Sequence, residues 1–447
     1  MPIMTYDFTK TPNHLDAYWM PFTPQRLFKG APRIVARARG VYYYDEQGRE
    51  ILDGTAGLWC VNLGHDHPRI KDALITQINT MDFAHSFQLG HPSAFMAANR
   101  LVEAMPDGID HVFFSNSGSE AVDTALKIAL GYHRARGQAQ RTVLIGRERG
   151  YHGVGFGGIS VGGLSYNRKA FRSALLPNVD HLPHTSNLEH NAYSRGQPAW
   201  GAHLADDLER RLLTLHDPET VAAVIVEPVA GSTGVLPPPK GYLERLRAIC
   251  DRYGILLIFD EVITAFGRFG SASSADYFGV NPDIICAAKG LTNGAVPMGA
   301  TFTTGAIYQA FMQGPPVFTE LMHGYTYSGH PLACVAAIAV QDIIRDESVY
   351  DHARALMKPF EDAIHSLRGL PRLVDIRNCG ILGAVEFEAG PADDPYKWPR
   401  TVMIKCFEAG ALVRFTGNSM AISPAVTMGL ADLHRLIEIV DGVIRKV

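Results

Sequence analysis

The sequence lacks the marks of several protein classes. No basic block interrupts a near-balanced charge of 41 basic and 45 acidic residues. Nucleic acid and an anionic membrane are therefore set aside as partners. No apolar run approaches the roughly 18 residues of a membrane-spanning helix. The opening, "MPIMTYDFTKTPNHLD", has no basic segment followed by an apolar one, so no secretory signal is expected. Cysteine is scarce: Cys60, Cys250, Cys286, Cys334, Cys379 and Cys406 are scattered, with no CxxC pair. They read as reduced core thiols of a cytoplasmic protein. The histidine pairs His65/His67 and His181/His184 lack a cysteine or carboxylate cluster to complete a metal site, so no metal is expected. There is no repeat, no low-complexity tract, no Walker A sequence and no G-x-S-x-G elbow.

What is there is an ordinary globular composition, 47% apolar and 19% charged over 447 residues, enough for two or three domains. Residues 1–65 are rich in Pro, Gly and aromatics, with a hairpin expected to turn at Glu46–Gly48. From 66 to about 335, short apolar runs alternate with helical patterns. Strands are expected at 111–115, 142–146, 221–229, 255–262 and 283–288. These runs are apolar on both faces, as in a mostly parallel sheet covered by helices. Residues 336–447 read as a long helical stretch, strands and a terminal amphipathic helix. They would form a smaller α+β lobe with which the N-terminal hairpin would pack.

Chemistry concentrates at the ends of the expected strands. "PDIICAAKGL" puts Lys289 after a buried run. A lysine there is costly unless neutralised, and a neutral buried amine is a nucleophile towards carbonyls. Alone, it reads first as a solvated lysine just past the strand. Asp260 ends "ILLIFD", where open α/β sheets bind ligands; its alternatives are a helix cap or a surface ion pair. "SNSGSEA" opens a helix, with Ser117 and Glu120 spaced as a capping box. Helix N-termini bind phosphate, though plain capping is as common. In "ERGYHGVGFGG", Tyr151 could lie flat on a planar cofactor, with His152 beside it, or simply pack on the core. Gly153–Gly158 satisfies G-x-G-x-x-G but does not directly follow a strand, so dinucleotide binding is not expected.

Taken together, "SNSGSEAVDTALKIA", "YHG", "VEPV", "LIFDEVITAFGRFG", "DIICAAKGLTNGAVPMGA" and "GYTYSGHP" make the chain resemble the class III aminotransferases over nearly its whole length. The resemblance implies pyridoxal-phosphate fold type I, an α/β architecture with a mostly parallel central sheet flanked by helices. It implies pyridoxal 5'-phosphate as cofactor, Lys289 as its Schiff-base lysine and Asp260 as partner of the pyridine nitrogen. Val262 and Tyr151 would pack on the ring. Ser117, Gly118 and Ser119 would bind the phosphate, with Thr326 reaching it from a second subunit. His152 and Glu227 would lie near the cofactor. A homodimer is implied, and a tetramer is compatible.

Specificity turns on a departure. Family members using glutamate and 2-oxoglutarate commonly read "EPIQGE" where this chain reads "EPVAGSTG". Ala230 and Ser232 replace the glutamine and the gating glutamate. The arginine that such a glutamate would hold remains, as Arg414 in "ALVRFTG", and its planar fork suits a carboxylate. "GLWCVNLGH" resembles the ω-aminotransferase subgroup and places Leu58 and Trp59 at the pocket; "WMPFTPQR" adds Phe22, from this subunit or its neighbour. The reading is amine transfer from an ω-amino acid such as β-alanine, or an apolar amine, to pyruvate. Other specificities (4-aminobutyrate or a diamine with 2-oxoglutarate), a decarboxylase or aminomutase on the same core, and a silent cofactor-binding protein are the alternatives.

Overall fold

The computed structural model describes residues 7–12 and 14–447. Near the N-terminus, β1 (Arg37–Arg39), β2 (Tyr42–Tyr44) and β3 (Glu50–Asp53) pair as an antiparallel meander. The β2–β3 turn sits where the sequence puts it. There Asp45 Oδ1 accepts from the N–H groups of Gln47 and Arg49.

The central sheet comprises β4 (Ile109–Ser115), β5 (Val143–Arg147), β6 (Val179–Leu182), β7 (Val221–Val226), β8 (Leu256–Asp260), β9 (Ile284–Ala287) and β10 (Gly299–Thr304). Its spatial order is β4-β10-β9-β8-β7-β5-β6. The joints from β9 to β6 are parallel. Strand β10 runs antiparallel to both β9 and β4, so β4 points the same way as the parallel five. Every residue of β7, β8 and β9 is buried, which is why these strands are continuous apolar runs.

Two central strands escaped the sequence reading. Edge strand β6 carries Asp180 and His181, whose polarity hides it; Asp180 pairs with Arg211 and His216. Strand β10 is rich in threonine, and Thr301 satisfies its buried hydroxyl on the Ala121 carbonyl.

The C-terminal region adds β11 (Leu373–Cys379), β12 (Leu382–Phe387), β13 (Ala411–Leu412), β14 (Arg414–Thr416) and β15 (Ser419–Ile422). Four of these form the antiparallel sheet β11-β12-β15-β14. Strand β13 leaves it and pairs in parallel with β3, setting Ala411 opposite Leu52 and Leu412 opposite Asp53. The helical stretch expected as one is two helices, Pro331–Asp346 and Val349–His365. They break at Ser348, whose φ is 51°.

Candidate active site

The like-directed strands of the central sheet end on one edge, and the loops leaving them surround a cavity of about 190 Å³. Lys289, Asp260, Glu227, Tyr151 and His152 all line it. Lys289 follows β9 in a short 3₁₀ turn with φ 47°, the left-handed region, a conformation that clusters at functional sites. Its amine has no hydrogen bond or ion pair among the described residues. Burial pushes its amine pKa down, towards the neutral nucleophile.

Asp260 is buried at the end of β8 and lies 2.8 Å, through Oδ2, from His152 Nδ1. Its Oδ1 accepts from the Val262 N–H at 3.1 Å. His152 is buried in turn, and its Nε2 has no hydrogen-bond partner among the described residues. Glu227 follows β7. Its Oε1 accepts from the Tyr151 N–H at 2.8 Å and its Oε2 from the Gly231 N–H at 3.0 Å. Burial pushes the Glu227 carboxyl up to about 7, against the opposing pull of His152.

Opposite this wall, the helix Gly118–Ala135 points its N-terminus at the cavity, which Gly118 and Ser119 line. Free N–H groups and the helix dipole favour an anion there. The cap differs from the expected box. Ser117 Oγ accepts from the Glu120 N–H at 3.2 Å, but Glu120 Oε2 takes the backbone and side-chain N–H groups of Asn116 instead of reaching Ser117. Ser117 thus serves first as helix cap. A Cβ at Gly118 would sit 2.8 Å from Val262 Cγ1, so glycine lets the helix end close on the wall. A Cβ at Gly153 would similarly meet Ser119 Oγ at 2.5 Å.

The rim is built differently. Residues 56–59 form a left-handed turn, with φ values of 47°, 55°, 70° and 63° at Ala56, Gly57, Leu58 and Trp59. That backbone costs an L-residue roughly 1–2 kcal/mol. The turn buries Trp59 and leaves Leu58 exposed. The Trp59 ring lies 5.9 Å from Lys289 Nζ and 5.2 Å from the Arg414 guanidinium carbon. The guanidinium of Arg414, on β14, has no carboxylate or other hydrogen-bond acceptor among the described residues. Burial lowers its pKa, against the pull of Tyr151. Ser232 is buried beside the same strand, its carbonyl accepting from Thr416 Oγ1 at 2.8 Å. Phe22 and Thr326 are exposed, and neither lines this chain's cavity.

The decoys resolve into structure. Gly155 and Gly157 would each push a Cβ into the Asp123 carboxylate, and Gly158 would push one into the His152 carbonyl. Gly155 and Gly157 therefore serve close packing against the helix Gly118–Ala135, and Gly158 serves it against the loop of His152. His65 pairs with Asp53 and His67 with Glu347. All six cysteines are unpaired. Five are fully buried, but Cys60 is only partly so and departs from the core-thiol reading. Sequence reasoning also missed Ile263, Gly153 and Ala288 in the lining. It missed the His152–Asp260 pair, whose only signal was a histidine beside the candidate tyrosine.

A cavity joining an unpaired amine, a buried carboxylate–imidazole pair and a helix N-terminus is what a pyridoxal-phosphate transferase of fold type I requires. The family model for class-III aminotransferases matches residues 28–444, and the chain belongs to that family. It is 55% identical to the omega-aminotransferase of Caulobacter vibrioides, covering 97% of this chain and 98% of the relative. It is 46% identical to the beta-alanine–pyruvate aminotransferase of Pseudomonas aeruginosa, over 96% of this chain and 95% of that one. A solved amine transaminase from an uncultivated Pseudomonas species, in its PLP-bound form, superposes with TM-score 0.88 at 34% identity, covering 97% of this chain and 100% of the other.

Proposed function

We propose that this aminotransferase moves the amino group of an ω-amino acid such as β-alanine, or of an apolar amine, to pyruvate, giving an aldehyde or oxo acid and L-alanine. The observation that carries the reading is the Trp59 ring facing both Lys289 and Arg414, whose guanidinium has no hydrogen-bond acceptor among the described residues. An amine-handling end and a carboxylate-handling end thus share one wall, and no glutamate gates the arginine. The relatives named omega-aminotransferase and beta-alanine–pyruvate aminotransferase point the same way.

The cavity fits the family's cofactor, pyridoxal 5'-phosphate. Lys289, lowered in pKa by burial, would hold it through its amine at the aldehyde end. Asp260, braced by His152, presents a carboxylate for a protonated ring nitrogen. Tyr151 and Val262 bound the ring. The N–H groups of Gly118 and Ser119 receive the phosphate, with the hydroxyls of Ser117 and Ser119 adding donors and Thr326 of a second subunit completing the set. When bound, the cofactor supplies an electron sink for the carbon that loses its proton. Lys289 Nζ carries that proton, a role typically worth about 10²–10⁴-fold in rate. Arg414 grips the carboxylate of pyruvate, while Leu58, Trp59 and Phe22 shape the amine pocket.

We place the working form as a homodimer, with a tetramer compatible. Phe83 packs edge-on to Tyr327 at 5.5 Å, and Ser86 Oγ donates to the Ser328 carbonyl. The segment 83–95 thereby joins the Thr326 loop in one face with exposed Phe87, Phe95 and Tyr327, the kind of patch that marks an interface. The unpaired thiols fit a reducing compartment, which we take to be the cytoplasm.

A donor panel run against pyruvate and 2-oxoglutarate, read as alanine or glutamate formed, tests the reading. Alanine is expected as the dominant product; preferred formation of glutamate would overturn it.

A further inference from the structure

The left-handed turn that carries Trp59 is tied at both ends. Asp53, buried at the end of β3, is its anchor. Asp53 Oδ1 accepts from the Thr55 N–H at 3.0 Å and from Thr55 Oγ1 at 2.9 Å. Its Oδ2 accepts from the Gly57 N–H at 2.6 Å and lies 2.9 Å from His65 Nε2. His65 in turn packs on Tyr43, with ring centroids 4.3 Å apart. A Cβ at Gly57 would press on Val61 Cγ2 at 2.8 Å and on the Tyr43 hydroxyl at 3.1 Å. Four donors on one carboxylate and glycine at the tight point hold a conformation that Ala56, Leu58 and Trp59 would not otherwise adopt.

On one side this unit is fixed to the strand that leads to Arg414. Asp53 is paired with Leu412, and the Gly54 N–H donates to the Leu412 carbonyl at 2.9 Å. On the other side it is fixed to the turn of Lys289. Asn293, which ends that turn, accepts from the Leu63 N–H at 2.8 Å and donates to the Gly64 carbonyl at 2.8 Å. Trp59 Nε1 has no acceptor among the described residues, so the ring's place is set by its backbone and packing.

We propose that Asp53 and His65 are positioning residues that close segment 53–65 into a rigid spacer between Arg414 and Lys289, and so set the length of ω-amino acid that the pocket prefers. The inference rests on the function proposed above. Asp53 and His65 touch neither cavity nor cofactor site; they act through Trp59. Loosening the spacer should blur the length preference and leave the chemistry at Lys289 in place.

The test uses holoenzyme of the wild type and of Asp53→Asn, His65→Leu and His65→Gln. β-Alanine, 4-aminobutyrate and 5-aminovalerate are compared with pyruvate as acceptor. Amide hydrogen exchange is followed across residues 56–60. Asp53→Asn and His65→Leu are expected to change the kcat/KM ratio between best and worst donor by roughly fivefold or more, mainly through KM, and to speed exchange in the turn. His65→Gln, which keeps an N–H donor, should restore most of the ratio. If Asp53→Asn does not fold, the His65 pair carries the test. An unchanged ratio, an equal loss on all three donors, or unaltered exchange would overturn the proposal while leaving the enzyme's function standing. A wild type that forms no alanine from any of the three donors would instead sink the ω-amino acid reading of the function, and the spacer with it.

Discussion

The floor and the rim of the cavity obey different rules. On the floor, the two carboxyl groups of the wall have partners inside the chain. Asp260 is held by His152 and the Val262 N–H, and Glu227 by the N–H groups of Tyr151 and Gly231. On the rim, bonding capacity is left over. Arg414 has no acceptor among the described residues, Trp59 Nε1 has none, and Leu58 and Phe22 are exposed. A floor with its polar groups already oriented reorganises little during reaction, the condition for electrostatic catalysis. A rim with unspent donors gains most from whichever substrate supplies the acceptor. Floor variants should therefore slow every substrate alike, and rim variants should change the ranking of substrates.

The most severe break is at Lys289. Lys289→Ala is expected to lose turnover by at least about 10²–10⁴-fold with every donor, together with the visible absorbance of the cofactor-loaded protein. Retained absorbance with normal turnover would remove Lys289 from the floor. Next comes Asp260→Asn, for which a fall in kcat of roughly 10²–10³-fold is expected, uniform across donors. A donor-dependent fall would show that the wall also reads substrate and would blur the division.

That division also explains what was legible in the sequence. Floor residues sit at strand ends, and β7, β8 and β9 are buried throughout. Continuous apolar runs therefore announced them, and the residue following each run was the chemical one. Gly118 and Ser119 were readable because a helix N-terminus has its own signature. The rim had no such periodic marker. The role of Asp53 depends on a left-handed turn of four residues, three of them not glycine, which no propensity argument would assign. The proximity of Trp59 to Arg414 depends on β13 crossing to pair with β3, a contact between residues about 360 positions apart. His152 was visible as a residue, but its bond joins a loop to the end of β8 at Asp260, 108 positions away in the chain.

On the rim, the sharpest test is Arg414→Ala. A charge-assisted hydrogen bond contributes about 1.5–3 kcal/mol, so KM for pyruvate should rise roughly 10–100-fold. KM for an apolar amine lacking a carboxylate should move little. Steady-state kinetics with 1-phenylethylamine against β-alanine distinguishes the two. Equal effects on both donors would mean that Arg414 braces the pocket and does not read carboxylates.

The smallest expected effect lies back on the floor, in stability. Burial raises Glu227 from 4.5 to about 7. Between those values the folded protein holds a proton that the unfolded chain has released. The stability this group contributes is therefore complete below its unfolded value and is lost as pH rises through about 7. Glu227→Gln cannot ionise and keeps one acceptor oxygen for the Tyr151 or Gly231 N–H. Losing the other acceptor lowers the variant's melting temperature by an amount that does not depend on pH. Against that constant offset, the variant should gain on the wild type by roughly a few degrees as pH rises from about 5 to about 7.5. Parallel melting curves across that range would mean that Glu227 keeps the same charge throughout. The proton that burial places on Glu227 would then be no part of the floor's stability.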